Sequence, residues 1–214
     1  MENFNDYQIF EIREAVKNGL TDEQIALFAK PEFRAMQMFE IREGFKRGLT
    51  VEQVKIYAKP EIHHYRMSEI QWCLTSGLIT EDKIKSYVEL KFNGDQIYQI
   101  RRGFENGLSD EQVELYAKPE FEDDQMRAIR LGFEEDGLTI EQAKVFAKPE
   151  FNRDQMDEIR LGFKNALPMD KVMFYADTKF DAEQMRAIRK CFKSCLEVKF
   201  TNELMAEIIK KLIN

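Results

Sequence analysis

Residues Gly19–Phe33 read "GLTDEQIALFAKPEF". Near-copies follow as "GLTVEQVKIYAKPEI" at Gly48–Ile62 and "GLSDEQVELYAKPEF" at Gly107–Phe121. A phrase that returns at a fixed interval of about 20–50 residues is the mark of stacked repeats. Working outward, repeats begin at Phe4, Phe33, Ile62, Phe92, Phe121, Phe151 and Phe180, spaced by 29 or 30 residues. Seven repeats take up nearly all of the 214 residues, so the expected organisation is one helical-repeat domain over 1–214.

Each repeat contains two helix starts of one design. In "FNRDQM" (Phe151–Met156), Asn152 is placed to cap a helix and Gln155 to reach back to the cap's own N–H. Phe151 and Met156 flank that box as a hydrophobic staple. Asn5/Gln8, Asn93/Gln96 and Asp181/Gln184 repeat it for the first helix, A. Thr21/Gln24, Thr50/Gln53, Ser109/Gln112 and Thr139/Gln142 repeat it for the second, B. Gly19, Gly48, Gly77, Gly107 and Gly137 are the expected left-handed stops of helix A. Pro31, Pro60, Pro119 and Pro149 are expected to stop helix B by disfavouring helical geometry in the residue before them. Helices of about 13 and 8 residues are marginal alone in water, so each must bury a face against its neighbours.

Positions are counted from the first residue of a repeat. Positions 6, 9 and 13 form one apolar stripe, as in Met38, Ile41 and Phe45 or Met126, Ile129 and Phe133. Position 12 is always small (Ala15, Gly44, Cys73, Gly103, Gly132, Gly162, Cys191), which lets a neighbouring helix approach closely. A last amphipathic segment at about 201–213 is expected to cap the open end. The expected fold is all-α: a right-handed α-solenoid of seven helix-turn-helix repeats with a C-terminal capping helix.

The segment "QMRAIRLGFEEDGLTIEQAKVFAKPEF" (Gln125–Phe151) resembles a short helical-hairpin repeat of uncharacterised proteins from Firmicute bacteria and their mobile elements. The resemblance covers essentially the full chain. It implies a helical scaffold from a bacterium or phage and no catalytic residue; an inhibitor of a host or defence enzyme is one role it suggests.

Composition narrows the function classes. Charged residues make up 33% and the net charge is −7, which disfavours broad phosphate binding. The apolar runs are short and "MENFNDYQIF" has no basic-then-apolar leader, so a cytoplasmic protein without membrane association is expected. Three cysteines make no disulfide framework, and Cys73, Cys191 and Cys195 occupy small-residue positions. His63 and His64 are adjacent, without the spacing or further ligands of a zinc site. No nucleophile constellation or phosphate-cradling glycine loop is present, so neither an enzyme nor a cofactor is expected.

Arginine recurs at position 10 as Arg13, Arg42, Arg101, Arg130, Arg160 and Arg189, with Gln71 as the exception. Internal pairing is expected, with Glu23, Glu52, Glu111 and Glu141 of helix B as candidate acids; an anion held by these arginines is the other reading. Where copies differ, function is expected. Position 7 carries Phe10, Phe39, Tyr98, Arg127 and Arg186, and position 11 carries Trp72, Arg102, Leu131, Leu161 and Lys190. With His64 of the divergent third repeat, these form the candidate partner-binding set. Another protein is the expected partner, and self-association is left open. A basic stretch, residues 180–214 at +2 against −9 for the rest, makes nucleic acid the alternative, through Lys179, Arg186, Lys190 and Lys193.

Overall fold

A computed structural model describes residues 3–198, with side chains described through Ser194. These residues form thirteen α-helices, and no strand occurs among them. The chain divides into two compact halves, Met1–Glu105 and Asn106–Asn214. The first holds α1 (Asp6–Lys17), α2 (Asp22–Phe28), α3 (Ala35–Lys46), α4 (Val51–Tyr57), α5 (His64–Ser76), α6 (Glu81–Glu89) and α7 (Gly94–Glu105). The second holds α8 (Asp110–Tyr116), α9 (Asp123–Glu134), α10 (Ile140–Phe146), α11 (Arg153–Lys164), α12 (Met169–Tyr175) and α13 (Ala182–Val198). Odd-numbered helices are the A helices and even-numbered ones the B helices. The capping helix expected at about 201–213 lies outside the described residues.

Within the first half, α1, α3, α5 and α7 pack in succession; α2 sits against α1 and α3, and α4 against α3 and α5. Within the second, α9, α11 and α13 pack in the same way, with α10 and α12 each touching the A helices on either side. The apolar stripe is the core. Met38, Ile41, Met67, Ile70, Met126, Ile129, Met156 and Ile159 are buried, each such side chain worth about 1.5–3 kcal/mol over exposure.

All eight capping boxes form. At α3 the cap position is Arg34, so only the return bond, Arg34 N–H to Gln37 Oε1 at 2.7 Å, holds the start. The glutamines of helix A also do something that the capping motif does not predict. While Oε1 accepts from its own cap, Nε2 donates to the closing turn of its own repeat and to the first residue of the next: Gln8 to Pro31 O and Phe33 O at 3.1 and 2.6 Å, and Gln37 to Pro60 O and Ile62 O at 2.8 and 2.7 Å. In the second half Gln125 reaches Pro149 O and Phe151 O, and Gln155 reaches Phe180 O. One buried amide therefore starts a helix and fastens the next repeat to it. In the third repeat Arg66 stands at that position and its guanidinium donates to Val88 O at 2.9 Å.

The glycine stops of helix A are left-handed, with φ from +62° to +88°. In the sixth repeat Ala166 takes the left-handed position at φ +58°. The stop of helix B differs from expectation. The helix ends two residues earlier than the residue before proline, in a tight three-residue turn at Ala29 (φ −73°, ψ 63°), where Lys30 N–H bonds Phe28 O at 2.7 Å. Proline then sits inside a second turn closed by Phe33 N–H to Lys30 O. Ala58, Ala117, Ala147 and Ala176 repeat the first turn. The phrase "AKPEF" is thus two consecutive turns that aim the chain into the next A helix.

Candidate partner-binding face

Between consecutive A helices the position-10 arginine meets a carboxylate at position 8 of the preceding repeat. Arg42 Nε lies 2.9 Å from Glu11 Oε2, Arg101 Nε 2.8 Å from Glu69 Oε2, and Arg189 Nε 2.9 Å from Glu158 Oε2. These rungs are nearly dry; Arg42 and Arg101 each hold a second acid, Glu43 and Glu105, whereas Arg189 pairs with Glu158, whose removal would strand a charge at a cost of about 3–5 kcal/mol. This corrects the expected pairing: Glu23, Glu52, Glu111 and Glu141 are exposed, and Glu52 pairs with Lys55. The reason is reach along the stack. Position 8 lies half a turn before the arginine on the adjoining A helix, whereas the helix B acids point into solvent. Arg160 aligns with Ala128, which has no carboxylate, and pairs with Asp136 and Asp157. Asp136 belongs to the longer, 30-residue fifth repeat, so the extra residue there restores the missing acid. Arg130 pairs with Glu134 one turn on. Arg13, on the first A helix, is exposed. The guanidiniums of Arg42, Arg101, Arg130, Arg160 and Arg189 are each engaged by a carboxylate.

Beside the ladder lie the variable positions. In the first half Phe10 is 56% exposed on α1, Phe39 half-buried on α3, Trp72 44% exposed on α5 and Tyr98 half-buried on α7. Two ladder arginines lie against three of these rings. Arg42 sits 5.3 Å over the Phe39 ring, and Arg101 lies 5.2 Å from the Tyr98 ring and 5.9 Å from Trp72. The nearest cation to Trp72 is Arg47 at 4.3 Å, a residue the sequence reading did not select. Such contacts contribute about 0.5–1 kcal/mol where solvent reaches them. They also hold flat rings at the surface with little rotamer freedom left to lose. Arg102 is half-buried and pairs with Glu105.

His64 stands apart, in a recess of about 190 Å³ with His63, Arg34, Gln37, Pro60 and Glu61. Burial, then His63 and Arg34, push its pKa down. In the second half Arg127 and Lys190 are exposed and Leu131 and Leu161 half-buried. Arg186 is exposed yet bonded to Glu158 at 2.8 Å. Exposed Met173 and Phe174 on α12 were also not selected; "PMDKVMFY" (Pro168–Tyr175) lacks the Ser/Thr cap and the glutamine of the B-helix capping box, which was the available signal.

Nucleophilic chemistry finds little support in Cys73, whose buried thiol is pushed up to about 12. Among the described residues no group of three His, Cys, Asp or Glu side chains could hold a metal ion, and no helix is long and apolar enough to cross a membrane. Comparison with protein families, curated proteins and solved structures finds no match.

Proposed function

We propose that this chain is a non-enzymatic scaffold that binds another protein through the variable face of its A helices. Its seven repeats are read as a right-handed α-solenoid, on the ground that the capping boxes, double turns and ladder bonds recur in register within each half. X-ray diffraction from crystals of the full chain tests the hand, and a left-handed path would overturn that part.

The observation that carries the binding reading is Trp72. It is the chain's one tryptophan, and it stays 44% exposed with guanidiniums against its ring, while Tyr57, Tyr116, Tyr175 and most phenylalanines are buried. Rigid aromatics beside arginines supply large contact area at low entropic cost and dominate binding energy at protein interfaces. Capture from a lysate of the source cell tests the face. The wild-type chain is expected to retain a partner that Phe39→Ala combined with Trp72→Ala loses, while circular dichroism shows both folded. Equal retention by the two would reject the face.

A further inference from the structure

The first repeat leaves an apolar face uncovered. Positions 6 and 9 of helix A and the fourth residue of helix B are buried in the later repeats, as at Met38, Ile41 and Val54 or Met156, Ile159 and Val172. In the first repeat these positions hold Ile9, Ile12 and Ile25, and all three are only half-buried. Val16 is 62% exposed, where Phe45, Phe133, Phe163 and Phe192 at the same position are buried. The cause is placement: α1 has no A helix before it among the described residues, so the side of the stripe that would meet one stays open. Terminal repeats of stacked arrays usually turn a polar face outward, and this one does not. The ladder has a loose end at the same place. Arg13 holds position 10, from which Arg42, Arg101 and Arg189 reach a position-8 glutamate on the preceding A helix. Arg13 makes no ion pair among the described residues.

The sequence supplies a glutamate in matching register. Residues 200–212, outside the described residues, read "FTNELMAEIIKKL". Counted from Phe200, they place Met205, Ile208 and Leu212 at positions 6, 9 and 13, as Phe180 places Met185, Ile188 and Phe192. Phe200 comes 20 residues after Phe180, too soon for a helix B between them, so the segment repeats the pattern of helix A alone. Glu207 falls at position 8, where Glu11, Glu69 and Glu158 receive their arginines. Position 10 is Ile209 in place of arginine, and the position-8 residue of α13 is Ala187. A rung between α13 and this segment therefore needs no ion pair, while Glu207 keeps the ladder's charge.

We propose that the chain associates head to tail: the open α1 face of one copy receives residues 200–212 of a second copy, and Arg13 pairs with Glu207 of the second copy. Two features select a second copy as the occupant. The open face is one side of an A helix and its helix B, which elsewhere in the chain is covered by another A helix, and the segment carries that helix's stripe. Arg13 and Glu207 have opposite charges at the two positions that form a rung. Because the two joined faces differ, the contact is heterologous, and either a closed ring or a longer row of copies raises the mass with concentration. Phe39 on α3 and Trp72 on α5 lie outside this contact, so capture of a partner by the variable face is a separate result.

Sedimentation velocity of the full chain is run from about 1 μM to about 200 μM in about 0.15 M salt, where long-range attraction is screened. The mass is expected to rise above that of one chain as concentration increases. Arg13→Glu and Glu207→Arg each set like charges at the rung and should weaken association about tenfold or more. The two changes in one chain set opposite charges again and should restore it. Val16→Asp should weaken it through the apolar part of the face. Arg13 and Val16 are exposed, so these variants are expected to keep the wild-type unfolding midpoint. A mass of one chain at every concentration would overturn the proposal. So would association that Arg13→Glu or Val16→Asp leaves unchanged, or that the double reversal fails to recover.

Discussion

At position 12 of a repeat the side chain is limited by what helix B places opposite it. A Cβ on Gly44 or Gly162 would fall inside the van der Waals shell of Tyr57 Oη or Tyr175 Oη. In the first repeat, where helix B carries Phe28 and no hydroxyl, the position is Ala15 and both residues are fully buried. At Gly44 and Gly162 the limit is thus one oxygen atom of the same repeat, whereas Gly132 faces the Phe146 ring, Leu138 and Arg160. Gly44→Ala is expected to cost about 1–3 kcal/mol in urea unfolding, as overpacking does. Adding Tyr57→Phe should recover most of the loss, and Tyr57→Phe alone should be neutral or stabilising, since its hydroxyl has no partner. No recovery in the double variant would show that the ring, not the hydroxyl, sets the limit.

Among elements, two kinds of capping box look identical in sequence and differ in consequence. Gln37, starting a helix A, is buried and makes three bonds, one to the closing turn of its repeat and one to the first residue of the next. Gln53, starting a helix B, bonds only within its own first turn at the surface. Gln37→Ala is expected to lower stability by about 2–3 kcal/mol, from lost bonds and stranded carbonyls, and Gln53→Ala by about 0.5 kcal/mol. Denaturant midpoints of the two variants decide the matter, and equal losses would refute the fastening role. The reach of Nε2 to Pro60 O and Ile62 O spans more than twenty residues, which local motif reading has no means to register. The double turn was hidden for another reason: proline punctuates the phrase, but the bond that ends the helix belongs to the alanine and lysine before it.

For the whole molecule, charge decides what the chain avoids. The net charge is −7, and the local excess of +2 in residues 180–214 is partly spent internally. Arg186 and Arg189 both bond Glu158, Lys179 pairs with Asp177, and Lys193 bonds Asn165. Cations so engaged release few counterions on meeting phosphate. No retardation of single-stranded RNA or duplex DNA is expected even at about 50 mM salt, where such binding is strongest. A shift that weakens steeply with added salt would contradict this.

Helix starts, glycine stops and the apolar stripe were legible in the sequence alone, because capping, left-handed closure and 3.6-residue periodicity are local and leave their residues at fixed offsets. The recurring arginine was legible too, but its acid was not. Glu11 and Arg42 lie 31 residues apart, and only the packing of α1 on α3 makes them neighbours. The same packing selected Arg47 as the cover for Trp72 and set Gln71 against the backbone of Glu40. Interactions within one turn are written in the order of residues; those between helices depend on which faces meet, and tertiary structure alone settles that.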